Sequence, residues 1–164
     1  MCQIPLSQGK IAIVSPEDHL FLILNYEWSF ANGYPQTHIR KNGQRTTIRM
    51  HEIVAKRMSL SGEKIDHKDG NPLNNQRENL RAATDNQNAM NKDVSSSNKI
   101  GLKGVRFHKD RYYAEIWIDG RSKHLGTFNS PEEAACAYDK AAKRHFGEYA
   151  RTNYGNPPDL GATS

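Results

Sequence analysis

Apolar residues along this chain fall into short alternating runs, which predict strands, and clusters at helical spacing, which predict helices. Residues 10–14 (Lys-Ile-Ala-Ile-Val) read as a strand, and Ser15-Pro16-Glu17-Asp18 then opens an apolar helix through Leu20, Leu22, Leu24 and Trp28. Ser15 is a fitting N-cap, Pro16 suits the first helical position, and acids favour the first turn. Extended segments around residues 35–40 and 45–50 flank Lys41-Asn42-Gly43, a hairpin signal, and Ile53, Val54, Arg57 and Met58 predict a short helix after His51. Residues 65–67 form the next strand, followed by a loop of turn formers over 68–72 and a returning strand over 79–83. Thr84 with Gln87 has the spacing of a capping box, which places Asn88 in the first turns of a helix.

The pattern stops at residues 93–99, where Asp93, Val94, Ser95, Ser96, Ser97 and Asn98 lack any apolar period, as a linker does. Beyond it, residues 104–109, 112–118 and 121–128 read as a three-stranded antiparallel meander, its last turn marked by Asp119-Gly120. Ser130, Pro131 and Glu133 start a helix that Gly147 ends, and Ala134, Ala135, Tyr138, Ala141, Ala142, His145 and Phe146 share one flat face of it. Strand alternation sends Ala114, Ile116 and Ile118 toward that helix and Tyr113, Glu115 and Trp117 to the opposite side. The expected fold class is therefore α+β: a module over 1–92 with a strand, loop, strand, helix core, a linker over 93–99, a three-stranded sheet packed on one helix over 100–155, and a disordered tail over 156–164.

Composition narrows the partners. With 164 residues, 36% hydrophobic content and a formal net charge of +5, two small basic modules are expected, and a pI near 9.2 favours an anionic partner such as a phosphate backbone. No apolar run approaches the ~20 residues of a membrane span, so a cytoplasmic protein without membrane association is expected. Cys2 and Cys136 lie too far apart in sequence to suggest a disulfide framework.

The chemistry concentrates at Asp66-His67, Asn79 and Asn88. A neutral histidine can take a proton from water, a carboxylate and an amide carbonyl are oxygen ligands for a hard divalent cation, and a second amide can order the loop. That set suits phosphodiester hydrolysis. The same residues also fit a turn-rich loop with a packed histidine, since eight asparagines fall between residues 71 and 98, and Asn86 and Asn91 are alternatives to Asn88. His51 reads as a helix-start residue packed beneath the hairpin.

Met50-His51, Ile65-Asp66-His67-Lys68-Asp69-Gly70-Asn71-Pro72-Leu73-Asn74-Asn75 and Glu78-Asn79-Leu80-Arg81 resemble, over about forty residues, the HNH (ββα-metal) endonucleases of homing and phage type, in the subgroup whose final histidine is an asparagine. The resemblance implies His67 as general base, Asn79 as the loop-ordering residue, and Asp66 and Asn88 as ligands of one divalent metal, Mg²⁺ or alternatively Mn²⁺. It departs at Glu52, where many relatives carry arginine.

Gly104-Val105-Arg106, Ala114-Glu115-Ile116, Leu125-Gly126-Thr127-Phe128 and Ala137-Tyr138-Asp139 resemble the Apetala-two/ethylene-response-factor DNA-binding domain. That resemblance implies a sheet face laid in the major groove of duplex DNA, with Lys103, Arg106, Trp117, Ser122 and His124 facing the DNA and Arg111 and Arg121 near phosphates. Trp117, Ser122 and His124 depart from the plant pattern, so base preference does not carry over. The combined expectation is a metal-dependent DNA endonuclease, encoded by a phage or mobile element, acting on duplex DNA; one site per chain favours a nick, and a double-strand break would need a homodimer. The alternative is a non-catalytic DNA-binding regulator built on a degenerate nuclease fold.

Overall fold

The computed structural model describes residues 1–62, 64–85, 87, 94 and 98–155, without the Lys41 side chain. Asn86, Asn88, Asn91, most of the expected linker and the expected tail over 156–164 lie outside the described residues. The chain divides into two compact units, Met1–Asn88 and Ala89–Ser164, and the mixed α+β class holds in both.

The first unit opens with β1 (Cys2–Pro5) and β2 (Ile11–Val14), an antiparallel pair, followed by α1 (Pro16–Asn25). The helix stops at Asn25, short of the expected Trp28, whose indole Nε1 instead donates to the Leu22 carbonyl at 3.0 Å. Only one apolar stripe of α1 is used: Leu22 is fully buried while Leu20 and Leu24 face solvent. Ser15 takes the N-cap backbone conformation, but its hydroxyl accepts from the Arg77 backbone N–H at 2.9 Å rather than from its own helix. A first-turn carboxylate would ordinarily be solvated; here Asp18 is buried and receives Arg57 Nε at 2.7 Å and Arg77 Nε and Nη2 at 2.6 and 2.8 Å.

Next come β3 (Ser29–Ala31), β4 (Tyr34–Lys41) and β5 (Gln44–Arg49), a meander that runs directly into α2 (Met50–Arg57). Glu52, the residue that departs from the family pattern, caps α2 by accepting the Arg49 N–H at 3.0 Å. β6 (Lys64–His67) and β8 (Leu80–Ala83) pair antiparallel, with Asp66 opposite Arg81 and His67 opposite Leu80. Between them β7 (Asn74–Asn75) joins β2 in parallel. The core gathers Ile4, Leu6, Val14, Leu22, Met50, Ile53, Val54 and Leu80, so every element around the loop rests on one apolar cluster.

In the second unit β9 (Val105–His108), β10 (Arg111–Ile118) and β11 (Arg121–Phe128) form the expected meander, ordered β11-β10-β9, and α3 (Pro131–Phe146) covers one face. Ser130 accepts the Glu133 N–H at 3.2 Å, and Ala114, Ile116 and Ile118 are buried against the alanine face of α3. Gly104, at φ +72°, has no room for a side chain: a Cβ would overlap the Tyr138 ring and lie 2.6 Å from the Glu115 carbonyl oxygen. Asp139 and Asn153 tie the end of the unit to its start, Asn153 bonding Asp139 Oδ1 and both backbone groups of Lys103.

Burial acts to raise the Asp18 pKa, but the hydrogen bonds from Arg77 and Arg57 outweigh it and hold it below the ordinary carboxylate value. Its stabilisation is complete above about pH 4 and is lost as pH falls through the depressed folded value. Asp18→Asn should therefore destabilise the first unit by about 2 kcal/mol at neutral pH and flatten the acid limb of its stability curve, measured by denaturant unfolding from pH 2 to 7; an unchanged limb would contradict this.

Candidate functional site

The loop between β6 and β8 is short, polar and partly buried, so its backbone groups need partners that strands do not supply. Asn79, in a 3₁₀ turn at the end of the loop, supplies several. Its Oδ1 accepts the Asp69 N–H at 3.1 Å, its Nδ2 donates to Asp69 Oδ1 at 2.9 Å and to the Asn74 carbonyl at 2.8 Å, and its carbonyl accepts the Lys68 N–H at 2.9 Å. Asp69 in turn accepts from the Asn71 N–H and from Asn74 Nδ2, both at 2.8 Å. Burial alone would raise the Asp69 pKa, but the bonds from Asn71, Asn74 and Asn79 outweigh it and hold it down. Of the two roles open to Asn79, ordering the loop or orienting the histidine, the described hydrogen bonds are those of the loop.

The histidine's own partner is Asn75, a residue to which sequence reasoning gave no role. Asn75 is fully buried, and its Oδ1 lies 3.3 Å from His67 Nε2. Its Nδ2 donates to the Pro72 carbonyl at 3.0 Å. A carbonyl only accepts, so the amide cannot be turned round; Oδ1 must face the ring, and His67 Nε2 must carry the hydrogen. In the neutral ring the lone pair then sits on Nδ1.

His67 is buried, and burial lowers its pKa against the raising influence of Asn75, Asp69 and Asp66. The imidazole is thus neutral at neutral pH. The ring of His51 stands against it, centroids 5.0 Å apart and nearly perpendicular. Burial, then the nearby His67 and Arg49, push the His51 pKa down to about 3, and its Nδ1 has no hydrogen-bond partner among the described residues. His51 therefore packs at the start of α2, as expected, yet it touches the site.

Asp66 is buried, with Oδ2 accepting both Arg81 Nε at 2.9 Å and Arg81 Nη2 at 2.8 Å. This cross-strand pair was not foreseen, although Arg81 stands in the quoted motif. The structure brings His67, Asp66, Asn79, Asn75 and Arg81 together around one strand pair. Asn88 lies outside the described residues; the capping box before it does form, Thr84 N–H donating to Gln87 Oε1 at 2.8 Å and Gln87 N–H to Thr84 Oγ1 at 3.2 Å. Among the described residues no group of three or more His, Cys, Asp or Glu could hold a metal ion. A site of one carboxylate and one amide falls below that count, and a hard cation that keeps several waters and takes phosphate oxygens fits so lean an oxygen set.

On the open face of the second unit, register aligns Tyr113 with Arg106 and Thr127, Glu115 with His124, and Trp117 with Ser122. A bulge between Ala114 and Glu115 keeps His124 and Ser122 on this face. Trp117 is 60% exposed. Arg106 is ion-paired with Glu115, whose Oε2 also accepts from Ser122 Oγ at 3.3 Å, a pairing that charge counting missed. Arg111 is exposed at the start of β10 with the parity of this face, whereas Arg121 pairs with Ile118 and takes the opposite parity at the hairpin end. Lys103 is half buried just before β9.

Comparison with known proteins agrees with both halves. A family profile described as HNH endonuclease matches residues 59–90. An uncharacterized HNH endonuclease of Acanthamoeba polyphaga mimivirus is 31% identical over 147 residues, covering 89% of this chain and 76% of that protein. Protein 3.8 of Escherichia phage T7 is 36% identical over 95 residues, 55% of this chain and 75% of its own length. Toward the C-terminus the similarity is to proteins such as an ethylene-responsive transcription factor of Arabidopsis thaliana, 51% identical over 61 residues, 35% of this chain and 24% of that protein.

Removal of the Asn75 amide leaves a buried N–H without its acceptor. Asn75→Ala should cost about 1–3 kcal/mol in denaturant unfolding and should mix the His67 tautomers in ¹⁵N spectra; a single Nε2–H form in the variant would show that another group sets the tautomer.

Proposed function

The chain belongs to the HNH endonuclease family, and on that premise we propose that it hydrolyses phosphodiester bonds in duplex DNA with His67 as general base. The observation that carries this reading is the buried His67, its Nε2 turned to the Asn75 side-chain oxygen so that Nδ1 of the neutral ring holds the lone pair; burial favours that neutral form. That nitrogen takes a proton from water as the water oxygen bonds to phosphorus, and the bond to the departing sugar oxygen breaks with its electron pair staying on that oxygen, which takes a proton from solvent water. Asn79 keeps the loop at its present shape, so the base does not have to be ordered during the reaction. Arg81 fixes the Asp66 carboxylate.

HNH nucleases generally use a divalent metal. Asp66 and Asn88 would hold it here, with Mg²⁺ favoured by an all-oxygen set and Mn²⁺ as the substitute. When bound, it supplies charge neutralisation at the phosphate. One site per chain nicks one strand, and two copies would cut both. As a phage or mobile-element protein acting on DNA it would work in the host cytoplasm.

The second unit is proposed to position the nuclease through its open sheet face, with Arg106, Trp117, Ser122 and His124 toward the groove, Arg111 and Arg121 near phosphates, and Lys103 beside them. Exposure of Trp117 supports this, since a large apolar ring in water stands ready for a partner. Because Glu115 already neutralises Arg106, that arginine must exchange one partner for another on DNA.

One observation favours the reading as a non-catalytic DNA-binding regulator: Asp66 Oδ2 already carries a bidentate guanidinium, which weakens a carboxylate as a cation ligand. Plasmid nicking with Mg²⁺ separates the two. His67→Ala should lower the nicking rate by at least about 10²-fold with duplex affinity nearly unchanged; equal nicking by both proteins would sink the enzyme reading. Arg106→Ala should weaken duplex binding and reduce the slope of log affinity against log salt by less than the ~1 of an unpaired arginine, measured by fluorescence anisotropy.

A further inference from the structure

Residues 28–50 contain no aspartate or glutamate and carry Arg40, Lys41, Arg45 and Arg49, in a chain that is otherwise rich in both signs. They span β3, β4 and β5, and the four cations lie on the β4–β5 hairpin. Its base is rooted: Gln36 and Thr37 are buried, and the Arg49 guanidinium lies 4.2 Å from the centre of the Tyr34 ring. Its outer half is not. Of the described side chains from residue 38 to 47, all are exposed except Ile39, which is half buried. That projection spans the register pairs from His38↔Thr47 to Lys41↔Gln44, on the order of 13 Å at ~3.4 Å per residue.

Two features of the projection do not serve the fold. Arg40 lies directly opposite Arg45, and like charges facing each other across strands cost stability. Both are exposed, and neither has a carboxylate partner among the described residues. A pair of facing arginines at the end of an acid-free ribbon is stabilised by a polyanion. The ribbon is also held in shape: Asn42 and Gly43, at φ 52° and 78°, make the tight turn that matches strand twist, and Thr47 Oγ1 bonds His38 Nδ1 at 3.1 Å. A twisted two-stranded ribbon fits a DNA major groove about 12 Å wide and about 8.5 Å deep. Finally, β5 passes without a break into α2, whose second residue, His51, packs on His67. Whatever the ribbon holds is therefore kept in fixed relation to that histidine.

We propose that the β4–β5 hairpin is a DNA-binding ribbon within the first unit, independent of the sheet face in the second. It enters a groove of the duplex beside the bond to be cut, with Arg40 and Arg45 on backbone phosphates. Placement beside the cut bond rests on the nuclease reading above; DNA contact by the ribbon does not.

The test uses the full chain without divalent metal and a fluorescein-labelled duplex, titrated from 50 to about 300 mM salt, a range over which phosphate contacts register clearly. Arg40→Gln/Arg45→Gln should bind at least about tenfold more weakly near 0.1 M salt and reduce the salt slope by about 2, close to one per lost phosphate contact. Arg40→Lys/Arg45→Lys should keep most of the slope. Lys140→Gln/Arg144→Gln on α3 removes the same net charge and should change it far less. An unchanged slope in the glutamine variant, or an equal loss in the α3 variant, overturns the proposal. Should the glutamine variant unfold at lower temperature, the lysine variant decides: lost binding with charge retained counts against the phosphate role. Failure of the wild-type protein to nick DNA would defeat the nuclease reading and leave these titrations standing.

Discussion

A buried loop has to satisfy its own backbone, and the candidate site depends on how this one does so. Asn79 bonds Asp69 on one side and Asn74 on the other, and its carbonyl holds Lys68. Without these bonds the thirteen residues from His67 to Asn79 would keep open polar groups in a partly buried loop. With them, Asn74 and Asn75 reach β2 and pair with it in parallel, which brings the Asn75 Oδ1 within 3.3 Å of His67 Nε2. The state of the histidine is thus a consequence of loop closure. Asparagine does this work throughout because its side chain imitates a peptide group, donating and accepting at once.

Charge is handled by a different rule in each region of the chain. Asp66 and Asp18 are buried and each is matched by arginine, Asp66 by one and Asp18 by two, since an unmatched buried carboxylate would be strongly destabilising. On the sheet face of the second unit Glu115 holds Arg106 at the surface, where the pair is weak and exchangeable. The hairpin of the first unit has cations with no acid anywhere in its stretch of sequence. Paired charges build the site, exchangeable ones and uncompensated ones lie where a polyanion can reach.

The sequence was most legible where structure is decided by neighbours in the chain. Asn42-Gly43 and Asp119-Gly120 turn where expected, Ser130 and the Thr84–Gln87 pair cap as their spacing implies, and alternation along β10 sorts Ala114, Ile116 and Ile118 from Tyr113, Glu115 and Trp117. It was least legible where a residue has several equivalent candidates for a partner. Eight asparagines between 71 and 98 gave no means to single out Asn75, because an amide is useful in any turn and only the direction of the loop decides which one meets the imidazole.

Turns, caps and strand faces therefore belonged to the sequence by itself, because a φ preference, a capping hydroxyl or a two-residue period acts over a few residues and needs no distant partner. The motif around Asp66 and His67 belonged to it as well, as a list of groups with suitable chemistry. The tertiary structure alone decided what those groups do to one another. The Ser15 hydroxyl leaves its own helix for Arg77, α1 ends at Asn25 so that Trp28 can bond back to Leu22, Arg81 takes one oxygen of Asp66, and burial lowers the His67 pKa. Each depends on contacts between segments joined by chain folding, and on the loss of water there, neither of which a local pattern contains.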